Sequence, residues 1–251
     1  MSLEHNRFTI PIIGFSWDSD KQWLSAELMA KENGPKLADF IINYMETCRQ
    51  EFGKIVDVRL LGHSMGSRVI LSSLNSLHAN NRWNNNNFQI ISVDLMGAAV
   101  DNEEVSTESI EHYNRPMWLH DLNGVKFPYG EVIGQEVVQF SNLHSPEDNV
   151  FERHYPSYEG GDRALGENGK QREPEVPTPP NYADIDIQSQ LIAASDADAI
   201  DGCDFGICEL GSQAGLGDNH AGYFGFRNLD DTDILVDDGA IDIVVSNWRN
   251  S

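Results

Sequence analysis

The chain has 251 residues, a length that suits one α/β domain, or one domain with a sizeable insertion, and 40% of them are hydrophobic, enough for a core. Seventeen basic residues stand against 40 acidic ones, a net charge of −23, so the surface repels nucleic acid and anionic lipid. No apolar run reaches membrane-spanning length, and the start, MSLEHNRF, lacks the basic and apolar regions of a signal peptide.

Only six of the basic residues are Lys, and Asp (22) outnumbers Glu (18). Solubility alone explains such a surface. So does adaptation to high salt, where carboxylates stay hydrated and their repulsion is screened. The spread of the excess along the chain favours salt adaptation. It is densest in the last 71 residues, with 14 acids against two Arg. Of the cysteines, Cys48 falls in a predicted helix, buried or inert. Cys203 and Cys208 can close a small loop disulfide only in an oxidising compartment.

Pro11–Trp17 is a short apolar run closed by Asp18-Ser19-Asp20. It reads as a buried strand followed by a helix-capping loop. From Gln22 to about Glu51 the apolar residues fall at helical spacing, and Asn33-Gly34-Pro35 is expected to kink or divide this helix. Val56–Leu61 is the next strand. Met65 to about Leu77 reads as a helix with Val69, Ile70, Leu74 and Leu77 on one face, and Asn80–Asn87 as a loop. Phe88–Met96 is a third strand, followed by a short acidic helix over Asn102–His112. Val137–Leu143 is a fourth. Strands alternate with helices and are apolar on both faces, which predicts a mostly parallel sheet with helices on both faces.

After Asp148 the texture changes. Residues 151–181 are rich in Gly, Pro and charge and read as an irregular excursion over the active-site edge, a lid. A helix over about Ala183–Ala194, an acidic irregular stretch over 195–219 and a closing helix over Gly239–Trp248 complete the chain. The expectation is one domain over 1–251, with 151–219 as a lid or insertion region.

Gly62-His63-Ser64-Met65-Gly66 fits G-x-S-x-G, a pattern common by chance. Here a strand runs into it and a helix leaves it, the geometry a nucleophile elbow requires. The turn strains the Ser64 backbone, the flanking glycines relieve clashes, and the Met65 N–H points where an oxyanion would form. Serine needs a base, and the base an orienting acid, in the chain order Ser, acid, His. His63 lies inside the elbow and is expected to point away from the hydroxyl. His5, His78, His112, His120, His144 and His154 come too early or too close to the acid candidates. His220, in a Gly-rich loop before the closing helix, is the base candidate. Asp148 follows the strand over Val137–Leu143 and is the acid candidate. Glu147 competes, and Asp94 and Asp101 compete more weakly; each of these three is expected to be a solvated carboxylate.

"GHSMGSRV", "SPEDNV" after a strand and "GDNHAGYFGF" resemble the α/β-hydrolase superfamily, of the lipase/esterase-like kind, in a version like that of a halophilic archaeon. The resemblance runs from Pro11 to the end, loosely over 155–215. It implies Ser64 as nucleophile, Asp148 as acid and His220 as base. It also implies acyl transfer from a small ester- or lipid-type substrate to water, with no cofactor and no metal. A hydrolase-like protein without catalysis is the rival reading.

The pattern breaks before the elbow. The family places a His-Gly type loop after an early strand, which supplies the second oxyanion donor. No His-Gly pair precedes Val56. Either the chain is N-terminally shortened, or Gly14-Phe15-Ser16-Trp17 is itself the oxyanion loop, with Ser16 as donor and Phe15 and Trp17 against the substrate. Shortening is the reading favoured, and it leaves localisation open between the cytoplasm and export. Loss of one oxyanion donor costs about 10² to 10³ in rate.

Asp196–Gly202 has some features of a calcium loop, but its third acid and its Gly are displaced by one and Ile207 stands where a bidentate Glu belongs. An acidic solvated loop is the other reading. Trp17, Phe127, Tyr129, Phe151, Tyr155 and Tyr158 are pocket, lid or core aromatics.

Overall fold

A computed structural model describes residues 11–108, 128–153, 155–159, 162–172, 175–188, 220, 223, 226–227, 235–237 and 240–250. The acidic loop at Asp196–Gly202, Cys203, Cys208, Phe127, His5, His112, His120 and His154 lie outside them, as do residues 189–194 of the helix expected from Ala183.

Four strands form a parallel sheet in the order β1 (Arg59–Ser64), β2 (Ile90–Ala98), β3 (Val137–His144) and β4 (Tyr182–Asp186). Strand parity sorts the side chains. Leu60, Val93, Phe140 and Tyr182 are in register and belong to the larger core. Leu61, Met96, Leu143 and Ile185 belong to a second core on the opposite face. Helices α1 (Trp23–Phe52), α2 (Gly66–His78) and α4 (Gly130–Glu136) cover the first face. The last described helix, α8 (Ile241–Asn250), covers the second with Ile241, Val244 and Val245. Helices on both faces of a parallel sheet match the architecture read from the alternating apolar runs.

Helix α1 runs unbroken for 30 residues, with Pro35 inside it. The expected division does not occur, and the reason lies in the neighbouring helix. Pro35 has no N–H for the Lys31 carbonyl. The Ser72 hydroxyl of α2 donates to that carbonyl instead, at 2.8 Å. A side chain at Gly34 would meet Ser72 at 2.3 Å, so the glycine lets the two helices approach closely enough for the bond.

Four other readings are corrected. Pro11–Asp20 is not a strand: it has no regular structure, and Ile12 and Ile13 are 48% and 56% exposed. An apolar run becomes a buried strand only where a neighbour supplies the ladder, and β1 is paired on one side only, by β2, among the described residues. Asn81–Asn86 is a short helix, α3, started by the Asn80 side chain accepting from the Arg82 N–H and ended by Asn87 at φ 52°. The part of the expected acidic helix within the description, 102–108, is a run of turns and bends. Tyr182–Asp186 is strand β4, not helix: Tyr-Ala-Asp-Ile-Asp alternates with the period of a strand.

Residues 149–168 carry three short helices, α5 (Asn149–Arg153), α6 (Tyr155–Tyr158) and α7 (Leu165–Asn168), and Phe151, Tyr155 and Leu165 are fully buried. A two-stranded antiparallel pair, β5 (Phe226–Arg227) and β6 (Leu235–Asp237), lies between β4 and α8 in the chain.

Candidate active site

Ser64 is the last residue of β1 and has φ +52°. For a residue with a side chain, this left-handed conformation costs about 1–2 kcal/mol and persists only where the surroundings impose it. Here β1 must turn directly into α2. Met65 follows with helical backbone angles immediately before α2, so its N–H belongs to the first-turn amides that have no acceptor within the helix. A Cβ on Gly62 would lie 2.6 Å from Ile70 Cδ1, whereas one on Gly66 would meet nothing within 4 Å. Of the two motif glycines, only Gly62 relieves a clash.

Strand β2 is shaped to the same point. The register steps from His63↔Met96 to Ser64↔Ala98, skipping Gly97, which has φ +52°. The Ala99 N–H donates to the Ser64 carbonyl at 3.2 Å. A Cβ on Gly97 would stand 2.8 Å from the Tyr223 ring and 3.2 Å from His220 Cε1. Gly97 therefore leaves the space beside the end of β1 that the imidazole of His220 occupies. Sequence reasoning passed over this glycine, although a Gly closing an apolar strand run was a usable signal.

His220 and Asp148 meet. The Nδ1 of His220 is 2.7 Å from Asp148 Oδ2, and both side chains are buried. The Tyr223 hydroxyl lies 3.3 Å from the same oxygen and 3.2 Å from the Gly166 carbonyl. The other oxygen, Oδ1, accepts from the N–H groups of Val150 and Phe151 at the start of α5. Phe151 stands edge-on to the His220 ring, 4.8 Å between centroids. With Nδ1 bound to the carboxylate, Nε2 is the ring atom that can take a proton.

The competing acids have other partners. Glu147 is exposed and accepts from Gln188. Asp94 and Asp101 are not solvated carboxylates: they are 1% and 0% exposed. Asp94 accepts from the Trp248 indole at 2.7 Å, and burial raises its pKa to about 6. Asp101 accepts from the Tyr155 hydroxyl at 2.7 Å.

His63 turns from the serine, as strand parity requires, and reaches His220. Its Nε2 is 2.8 Å from the His220 carbonyl, and the two rings lie 4.6 Å apart. Burial, and then the charge of His220, lower the His63 pKa to about 3.

Phe15 and Ser16 lie on the exposed irregular stretch, and Trp17 packs at the margin of the larger core. No hydrogen bond joins Ser16 to Ser64 among the described residues, and Gly14 has open space about it. Phe151 and Tyr155 are buried, Tyr129 packs against the larger core, and Tyr158 is exposed and stacked on Trp23.

Arg68, four residues after Ser64, is buried and binds Glu27 at 3.0 Å and Glu159 at 2.9 Å. It thereby ties the elbow helix to α1 and to the segment after α6. Trp23 adds an indole bond to Glu159 at 2.8 Å. Next to this network, burial lifts Glu104 to about 7 against the pull of Arg68. Asp101, Glu103 and Asp162 place carboxylate oxygens within 4.8 Å of one another, the described group with the spacing to hold a cation.

The family model "Alpha/beta hydrolase of unknown function (DUF900)" matches residues 3–152. The chain belongs to this alpha/beta hydrolase family. The match includes Ser64 and Asp148 and ends before His220. No curated protein and no solved structure matches the chain. Among the described residues of this family member, no helix is long and apolar enough to cross a membrane.

Proposed function

We propose that this alpha/beta hydrolase is a serine hydrolase that cleaves carboxylic ester or lipid-type acyl bonds. Ser64 attacks the acyl carbonyl. His220 takes its proton at Nε2 and returns it to the leaving alcohol, while Asp148 holds the imidazole and stabilises its charged form. Water then repeats the cycle on the acyl-enzyme. The Met65 N–H is the first oxyanion donor, and Ser16 is the candidate for the second. The observation that carries the reading is the 2.7 Å contact between His220 Nδ1 and Asp148 Oδ2, in a chain whose Ser64 is held at φ +52° where β1 ends. The acidic, lysine-poor composition supports work in high salt.

A hydrolase-like protein without catalysis is the second reading. The observation in its favour is the exposed, irregular course of Pro11–Asp20, where the second oxyanion donor is expected. Labelling with a fluorophosphonate probe in high salt separates the two. The enzyme reading expects wild type to label and Ser64→Ala and His220→Ala to lose it. Absence of Ser64-dependent labelling overturns it.

A further inference from the structure

Resting on the proposed triad, we infer that His63 is a positioning residue that fixes the backbone of His220 and so holds the base against Asp148.

The argument begins with strand parity. Leu61 and His63 project from the face of β1 that carries the second core, the side from which Tyr223 packs. His63 is therefore aimed at the segment bearing His220, not at the substrate side of Ser64. Its Nε2 meets the His220 carbonyl at 2.8 Å. A carbonyl only accepts, so His63 must carry a proton on Nε2. The ring also lies 4.6 Å from the His220 ring and 5.6 Å from that of Tyr223.

His220 is thus fixed at two points, its side chain by Asp148 and its main chain by the residue adjacent to the nucleophile. The nucleophile and the base come from positions 64 and 220. A direct bond from residue 63 to residue 220 joins the end of β1 to the base without an intermediary. Burial keeps His63 neutral, so it adds no second positive charge beside His220 when that ring is protonated.

The test compares the full chain with His63→Gln, His63→Asn and His63→Phe. Gln carries an amide N–H to about the reach of the imidazole Nε2, Asn falls short, and Phe keeps a ring without a donor. Two readouts are taken in high salt. One is the proton on His220 Nδ1 in ¹⁵N-histidine-labelled protein, the other the rate at which Ser64 takes a fluorophosphonate. Wild type and His63→Gln are expected to keep the Nδ1 proton. In His63→Asn and His63→Phe it is lost to exchange, and labelling slows about 10- to 100-fold.

Retention of the Nδ1 proton together with wild-type labelling in both Asn and Phe variants overturns the inference. If Ser64 never labels but the proton still depends on residue 63, positioning stands and the hydrolase reading falls. Should the Phe variant lose its circular dichroism signal, the Asn variant decides the matter.

Discussion

The Nδ1 of His220 lies 2.7 Å from Oδ2 of Asp148, although 72 positions separate them in the chain. Asp148 serves two ends, because its Oδ1 also accepts from the amides of Val150 and Phe151. Asp148→Asn separates these roles. An Asn oxygen can still cap α5, but its amide cannot hold the imidazole in the same tautomer or balance an imidazolium. On the proposed function, ester turnover near neutral pH is expected to fall about 10⁴-fold with little change in melting temperature. Asp148→Ala removes the cap as well and should cost about 1 kcal/mol of stability beyond the Asn variant. Paired turnover and melting measurements check both. Near-wild-type turnover in the Asn variant would remove Asp148 from the proposed triad.

Gly97 is the second control point. Ala at this position would place a methyl 2.8 Å from Tyr223 and 3.2 Å from His220, on a backbone at φ +52°. Both neighbours are buried aromatic rings. Gly97→Ala should destabilise by about 1–3 kcal/mol and slow Ser64 labelling. The comparison with Gly66→Ala is direct, since a methyl there meets nothing within 4 Å. Equal labelling by the two variants would contradict the packing argument.

The legible parts of this molecule were those fixed by local pattern. The turn at Ser64, the parallel strands and α2 follow from residues adjacent in sequence, and chain order points to Asp148 and His220, whose side chains meet. Strand β4 is only five residues long, and a period-2 pattern over so few residues is easily absorbed into a helix reading of 183–194; within it Asp184 accepts from Asn142 and the Lys170 N–H. Pro11–Trp17 differs in the opposite sense, since an apolar run does not reveal whether a sheet edge stands ready to pair with it. Burial of Asp94 and Asp101 depends on Trp248 and Tyr155, partners 154 and 54 positions away. No window of sequence contains such a pair.

Ser72 and Pro35 form a coupled pair across α1 and α2. Ser72→Ala leaves the Lys31 carbonyl without the hydroxyl that now bonds it at 2.8 Å, at an expected cost of about 1 kcal/mol. Pro35→Ala restores the helical N–H that this carbonyl lacks. The cost of Ser72→Ala should therefore shrink in the Pro35→Ala background, and a double-mutant cycle from denaturant melts measures the difference. Simple additivity would show that Ser72 does not compensate for the proline.

Asp94 gives a prediction with a definite sign in pH. Its folded pKa is raised by burial to about 6 from an ordinary value of 3.8, so the fold favours the neutral carboxyl. The folded chain holds this proton where the unfolded chain has released it. Stability from the group is therefore fully present below the unfolded value and is lost as pH rises through about 6. Asp94→Asn has no charge to develop and keeps an oxygen for the Trp248 indole, while Ser92 and Ser141 lie on the neighbouring positions of the same sheet face. The variant is expected to match wild type near pH 4 and to exceed it by about 1–3 kcal/mol near pH 8. Denaturant melts at the two pH values check this. An equal difference at both would show that the Asp94 carboxyl is not held neutral by the fold.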